Sequence, residues 1–260
     1  PYEDVEVQYN DTLGTPFGYG TYGSRSAAVG GTALFNAVQK VKKKAVRFGA
    51  HMLEASPDDV VFEDGKVSVK GSPEQANKIQ EIAGAAALGY SLPEGDEPFL
   101  DETAYFDPPN TTWPFGTHIC VVEVEKDTGS VMVKKYLAVD DVGNVVNPMI
   151  VDGQIHGGIA QGVAQALWES GEYNESGQLV SGSMMDYAIP RTDCLPSFEL
   201  DRTVTPSPTN PLGVKGVGET GTIASTPAVV NAVMDALSPF GVTHLDMPLT
   251  SQKIWNAIQS

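Results

Sequence analysis

The stretch Ile119-Cys120-Val121-Val122-Glu123-Val124, the turn Lys126-Asp127-Thr128-Gly129 and the run from Val131 to Val139, ending on Asp140-Asp141, together decide the fold. Alternating β-branched residues on either side of a polar turn with glycine spell a two-stranded antiparallel hairpin. The next element is a helix, because Ile155, Ile159, Val163 and Ala166 recur at helical spacing. Gly153, Gly157, Gly158 and Gly162 sit inside that helix. Each costs about 1 kcal/mol relative to alanine, so another helix or a ligand has to approach the backbone there. A hairpin feeding a helix, with no regular strand-helix-strand alternation and no glycine fingerprint after a first strand, predicts the α+β class.

Working outward, Glu3 to Tyr9 alternates like a strand, and Gly14 to Gly23 is rich in turn residues. Leu34, Val38, Val41, Ala45, Phe48 and Met52 then predict a long amphipathic helix from about Gly31 to Leu53. Its Lys40, Lys42, Lys43 and Lys44 are read as a solvated face. Val60-Val61-Phe62 and Lys66 to Val69 flank Glu63-Asp64-Gly65 as a second hairpin, and Ser72, Pro73 and Gln75 predict the start of a helix carrying Ile79 and Ile82. Ser91 to Trp113, with four prolines and no period, reads as a long connection. It places a boundary near residue 110, between parts 1–110 and 111–260. Thr226 and Pro227 are expected to open a helix ending before Pro239, and Ile254 and Ile258 mark a short final one.

The chain has 260 residues, 41% of them hydrophobic, with 16 basic and 33 acidic side chains and a formal charge of -17. It is long enough to bury a real core, and a pI near 4.4 argues against nucleic acid as a partner. Only Cys120 and Cys194 occur, too few for an iron–sulfur cluster or a four-cysteine zinc site. With no metal-ligand spacing, no apolar run of transmembrane length and no disulfide framework, the reading is a cytoplasmic chain without a transmembrane segment. It begins at Pro1 in mid-pattern, as a piece of something longer would.

Three glycine-bearing segments have the chemistry of a site. Gly20-Thr21-Tyr22-Gly23-Ser24-Arg25-Ser26 precedes the long helix, where backbone N–H groups favour an anion, although a structural turn explains it as well. Val139 to Pro148, leading into Gly153-Gln154-Ile155-His156-Gly157-Gly158, offers amides and carboxamides to a polar ligand; as a capped helix it would use Asn147 as N-cap. In Pro211 to Gly221, Glu219 stands in a glycine turn where a general base can reach a ligand, or where a solvated acid can simply sit. His51, His118, His156 and His244 pair with no nucleophile and are read as structural, with His156 notable for lying in the second segment.

Taken in this order and at these separations, the segments resemble the C-terminal, molybdopterin-binding region of the large subunit of molybdenum hydroxylases, the xanthine oxidase family. Within it the chain is similar to the aerobic carbon monoxide dehydrogenase branch. The match is carried by Gly20 to Ser26, Ala138-Val139-Asp140-Asp141 with Asn147-Pro148-Met149-Ile150, Asp186-Tyr187, Thr203-Val204-Thr205-Pro206-Ser207-Pro208, and Lys215-Gly216-Val217-Gly218-Glu219. The resemblance implies two mixed α/β subdomains and a molybdopterin cytosine dinucleotide. Tyr22, Gly23, Ser24, Arg25 and Ser26 would line its pterin and molybdenum side. Asp140, Asn144, Asn147 and Gln154 would hold polar parts, and Lys215, Gly216 and Gly218 would also touch it. Glu219 matches the family's active-site glutamate, which takes a proton from the water-derived oxygen that attacks an electron-poor carbon.

The same resemblance implies partners. Electrons would leave through 2Fe-2S clusters on an iron–sulfur small subunit and FAD on a medium subunit, with the upstream half of the large subunit alongside. The family's Gln-Gly-Gln-Gly-type loop and the loop with the copper-linked cysteine lie upstream of Pro1. Copper, and the choice among carbon monoxide, an aldehyde, a purine or another N-heterocycle as small-molecule substrate, therefore stay open. A non-catalytic assembly fragment is the alternative from a different class, and a plain nucleotide-binding module ranks last for lack of a fingerprint.

Overall fold

The computed structural model describes residues 2–9, 11–14 and 18–260. A π-helical turn at Ser26–Gly31 leads into α1 (Thr32–Met52). The expected apolar stripe of α1 divides: Ala45 and Phe48 are buried, while Leu34 and Val38 nearer the start are exposed. Behind α1 lies an antiparallel sheet in the order β1 (Val60–Glu63), β2 (Lys66–Val69), β3 (Ser72–Lys78). Its first hairpin turns at Asp64 and Gly65, both with positive φ (48° and 70°), a geometry that matches strand twist. A Cβ on Gly49 would stand 2.7 Å from Val67 Cβ, so α1 lies directly on β2. Phe48, Val60, Val67, Ile82 and Ala86 close this core.

Three expectations fail in this part. Ser72 to Gln75 do not open a helix: they belong to β3, which pairs with the otherwise open edge of β2 and satisfies its backbone groups. The helix, α2 (Ile79–Leu88), starts later, where the Glu81 carboxylate accepts the Lys78 N–H at 2.7 Å. Glu3 to Tyr9 form no strand: a 3-10 turn covers Tyr2–Asp4, and among the described residues no strand pairs with 5–9. The lysine run is also not simply solvated. The connection after α2 folds back over α1, so Lys40 Nζ donates to the Thr103 carbonyl at 2.7 Å and the buried Lys44 to the Pro98 carbonyl at 3.4 Å. Arg47 pairs with Asp96 on the same segment.

The hairpin stretch folds as expected, into β4 (Phe115–Glu125) and β5 (Ser130–Asp141), antiparallel, then α3 (Pro148–Leu167). Asn147 caps α3, its Oδ1 accepting from Met149 and Ile150 N–H at 3.1 and 3.3 Å. A strand absent from the sequence reading, β6 (Phe198–Thr203), adds in parallel to β5. The next helix, α4 (Thr220–Leu237), begins six residues before Thr226. Thr226 does not cap: its hydroxyl donates across to the Gly162 carbonyl at 3.3 Å, and Pro227 sits inside the helix. A final helix, α5 (Ser251–Gln259), carries Ile254 into a second core with Tyr136, Ile159, Val163, Val233 and Leu237.

Two of the four helical glycines have their explanation in α4. A Cβ on Gly158 would lie 2.9 Å from Gly221 Cα, and one on Gly162 would overlap the Ser225 hydroxyl. Gly153 and Gly157, on the other face, meet nothing within 4 Å. Two small sheets, each backed by helices, make the architecture α+β as the pattern requires.

Candidate functional site

The end of β5 and the loop before α4 are pinned together. Gly143 (φ 69°) lets the Asn144 N–H reach the Gly213 carbonyl at 2.9 Å, and the Lys215 N–H reaches Val142 O at 2.8 Å. Beneath this contact Asp141 is wholly buried and receives Lys215 Nζ at 2.9 Å, the Gly143 N–H at 3.0 Å and the Thr203 hydroxyl at 3.0 Å. Burial alone would raise this carboxyl; the donors, Lys215 first and then Gly143, Thr205 and Thr203, outweigh it and hold the acid at about 2. Lys215 Nζ also stands 4.5 Å over the Phe115 ring. Lys215 therefore faces inward, as the cation of a buried pair.

Asp140 turns to the other face of the strand. It is buried, with His118 Nε2 at 3.2 Å, and His118 Nδ1 lies 2.9 Å from the Tyr136 hydroxyl. The geometry suits Tyr136 donating to Nδ1 while Nε2–H donates to the carboxylate. Burial first, then Cys120 and Asp140, push the Tyr136 hydroxyl above its usual range, and burial pushes the Cys120 thiol up to about 11. Neither group is poised to ionise near neutrality.

Above the pinned floor, the first and third glycine segments meet. The Ser24 hydroxyl donates to Glu219 Oε2 at 2.6 Å. Gly216 and Gly218 leave the space Ser24 occupies, since Cβ atoms there would stand 2.5 Å from Ser24 Cβ and 3.1 Å from its Oγ. Gln154 Oε1 lies next to Gly218, 3.7 Å from that Cβ position. Thr21 and Ser26 share a hydroxyl hydrogen bond of 2.6 Å beside them. Arg25 is held by Gly20 O at 2.8 Å and by the Tyr22 ring, whose centroid is 4.0 Å away. Tyr22, Gly23, Arg25 and Val29, with Asn110 and Trp113 from the connection, line an open cavity of about 490 Å³.

Of the expected site residues, the fold brings Ser24, Gln154, Gly216, Gly218 and Glu219 to one rim, with Tyr22, Gly23, Arg25 and Ser26 adjoining. Asn147 spends its side chain on the helix cap, and Asn144 donates to the Leu212 carbonyl at 2.7 Å. His156 bonds the Asp152 carbonyl and packs near Phe198, apart from the rim. Asp141, Thr203, Phe115 and Tyr136 have structural roles here that no local motif assigns them. The paired acids ending a hydrophobic strand were the one available signal, since a charge at that position has to be matched.

The rim has the donor set for a polar, anionic cofactor: hydroxyls of Thr21 and Ser26, the Arg25 guanidinium, the Gln154 amide and the starts of two helices. Among the described residues no group of three His, Cys, Asp or Glu side chains forms a metal site, and no helix is long and apolar enough to cross a membrane. The molybdopterin cofactor-binding domain family matches residues 1–196. The carbon monoxide dehydrogenase large chain of Hydrogenophaga pseudoflava is 42% identical over 259 residues, all of this chain and 32% of that one. The nicotine 6-hydroxylase large subunit of Paenarthrobacter nicotinovorans is 40% identical, over 99% of this chain and 32% of that one. The structure of reconstituted CO dehydrogenase from Oligotropha carboxidovorans superposes with a TM-score of 0.91 at 38% identity, over all of this chain and 32% of that one. The chain thus spans about a third of the length of the relatives it matches. It belongs to the molybdopterin cofactor-binding domain family, and it is similar to the carbon monoxide dehydrogenase large chain.

Proposed function

We propose that the chain is the molybdopterin-binding part of an oxidoreductase large subunit that works with an upstream half, an iron–sulfur subunit and an FAD subunit in the cytoplasm. The observation that carries this reading is the convergence at the rim, where an acid in a glycine loop meets a hydroxyl-rich loop from the far end of the chain. Two cores, one on each side of the connection, support a division near residue 110 into parts 1–110 and 111–260. The cofactor is a molybdopterin cytosine dinucleotide. Thr21, Arg25, Ser26 and Gln154 would hold it, with backbone N–H groups of Gly216 and Gly218. A net charge of -17 is no obstacle, because amides and helix starts bind phosphate locally.

When bound, the cofactor supplies two-electron oxidation of substrate with an oxygen taken from water. Glu219 accepts a proton at its carboxylate as that oxygen is transferred. The pinned floor keeps the loop bearing Glu219 rigid, and its buried ion pair adds no free charge to the rim. Carbon monoxide is the leading substrate, on the identity to the Hydrogenophaga protein. An N-heterocycle is the second, favoured by 40% identity to nicotine 6-hydroxylase.

Glu219→Gln in the complete enzyme is expected to lower turnover at least about 100-fold with bound cofactor unchanged. Near-normal turnover would falsify the assignment. Molybdenum and cytosine nucleotide, measured together after denaturation, are expected in near-equal amounts. Their joint absence from an intact complex would make the chain an assembly element instead.

A further inference from the structure

We propose that Ser24 is a positioning residue for Glu219, its hydroxyl fixing which carboxylate oxygen faces the rim. The inference rests on reading Glu219 as the proton-accepting acid. Ser24 and Glu219 are 195 positions apart, yet the Ser24 hydroxyl donates to Oε2 at 2.6 Å. Among the described residues Oε1 accepts no hydrogen bond, so one oxygen is tethered and the other is free to take a proton.

Three further features converge on this contact. Glu219 is the N-cap residue of α4, a position from which an acidic side chain commonly accepts the helix's own first N–H groups, but it makes no such bond. Its carboxylate is thereby released toward Ser24. Gly23 and Ser24 both adopt left-handed backbone, with φ of 58° and 52°, an uncommon choice for serine that turns its side chain toward the third loop. Gly216 and Gly218 carry no side chain at the points where Ser24 enters, and a Cβ on Gly216 would stand 2.5 Å from both the Cβ and the main-chain oxygen of Ser24. The acid-bearing loop is thus shaped around this serine. An untethered carboxylate would rotate and offer either oxygen, diluting the reactive geometry.

The test uses the full-length enzyme with cofactor and partner subunits, with carbon monoxide as probe and nicotine if carbon monoxide is not oxidised. Ser24→Gly suits the left-handed backbone and removes the hydroxymethyl side chain. It is expected to keep bound molybdenum and to lower kcat about tenfold at unchanged KM. Ser24→Asn tolerates the same backbone and donates through its amide, and is expected to recover part of the loss. In a Glu219→Gln background, Ser24→Gly is expected to change residual kcat less than about twofold, because its partner is already disabled. A substrate-independent readout runs alongside: the urea midpoints of Ser24→Gly, Glu219→Ala and the double variant are expected to be non-additive.

The same fold-loss of kcat in both backgrounds overturns the proposal, as does a loss of molybdenum in Ser24→Gly that matches its loss of turnover. So does full activity in Ser24→Gly alongside an inactive Glu219→Gln. Full activity in Glu219→Gln itself sinks the underlying reading of the acid, and that outcome is separate from anything Ser24→Gly does.

Discussion

Gly158 and Gly162 lie on the face of α3 that α4 presses against, where an added Cβ would meet Gly221 or Ser225; Gly153 and Gly157, around the helix, meet nothing within 4 Å. The same division runs through the loops. Around Asp141 and Lys215, glycine allows backbone to close on backbone over a buried ion pair. At the rim, the loop from Gly20 to Ser26 and the acid Glu219 stand largely open. Glycine content is alike in both places, so it does not separate packing from binding. The distinction lies in whether the chain itself fills the vacated space.

The closed region is expected to react most strongly to a lost charge. Lys215→Met leaves Asp141 buried without its cation and should destabilise the full-length chain by about 3–5 kcal/mol in urea unfolding. Because Asp141 is held at about 2, below the roughly 3.9 of a free aspartate, its contribution is complete above about pH 4 and is lost as pH falls toward 2. The parent should lose stability across that window, and Lys215→Met, having already lost the contribution, should show a shallower slope. Parallel slopes would mean that Asp141 owes little to Lys215 and is held instead by the Gly143 N–H and the Thr203 hydroxyl.

Gly162→Ala tests the helix crossing at smaller amplitude. The new methyl would overlap the Ser225 hydroxyl and lie 3.0 Å from the Thr226 nitrogen, an overpacking expected to cost about 1–3 kcal/mol. An unchanged urea midpoint would show that α4 slides freely over α3, and the two glycine faces would then be equivalent.

Sequence periodicity revealed the elements whose pattern was long and uninterrupted: α1, the β4–β5 hairpin and α3. It failed where local signals imitate one another. Ser72-Pro73 reads as a helix start yet forms β3, because the open edge of β2 offers more hydrogen bonds than a cap does. β6 escaped notice because Glu199, Asp201 and Arg202 interrupt Phe198 and Leu200 and make the segment look solvated. The start of α4 was hidden because Gly218 and Gly221 read as loop, when Gly221 serves the crossing with α3. At the site, the three segments stand out by their glycines and polar residues and take their roles from resemblance, but neither the Ser24–Glu219 contact nor the inward turn of Lys215 has a local signature. Both are set by how distant segments pack.

The smallest effect belongs to the open face. Gly157 is an exposed helix-interior glycine with free space around it, so alanine gains helix propensity and meets no obstacle. Gly157→Ala is therefore expected to leave the full-length chain as stable as before, or more stable by up to about 1 kcal/mol. The sign matters more than the size. A gain places Gly157 opposite Gly162 in energy as well as in position, and identifies the vacated space as open in the folded protein. A loss of more than about 1 kcal/mol would mean that something outside these residues packs there as tightly as α4 packs on Gly162, and the contrast between the two faces would disappear.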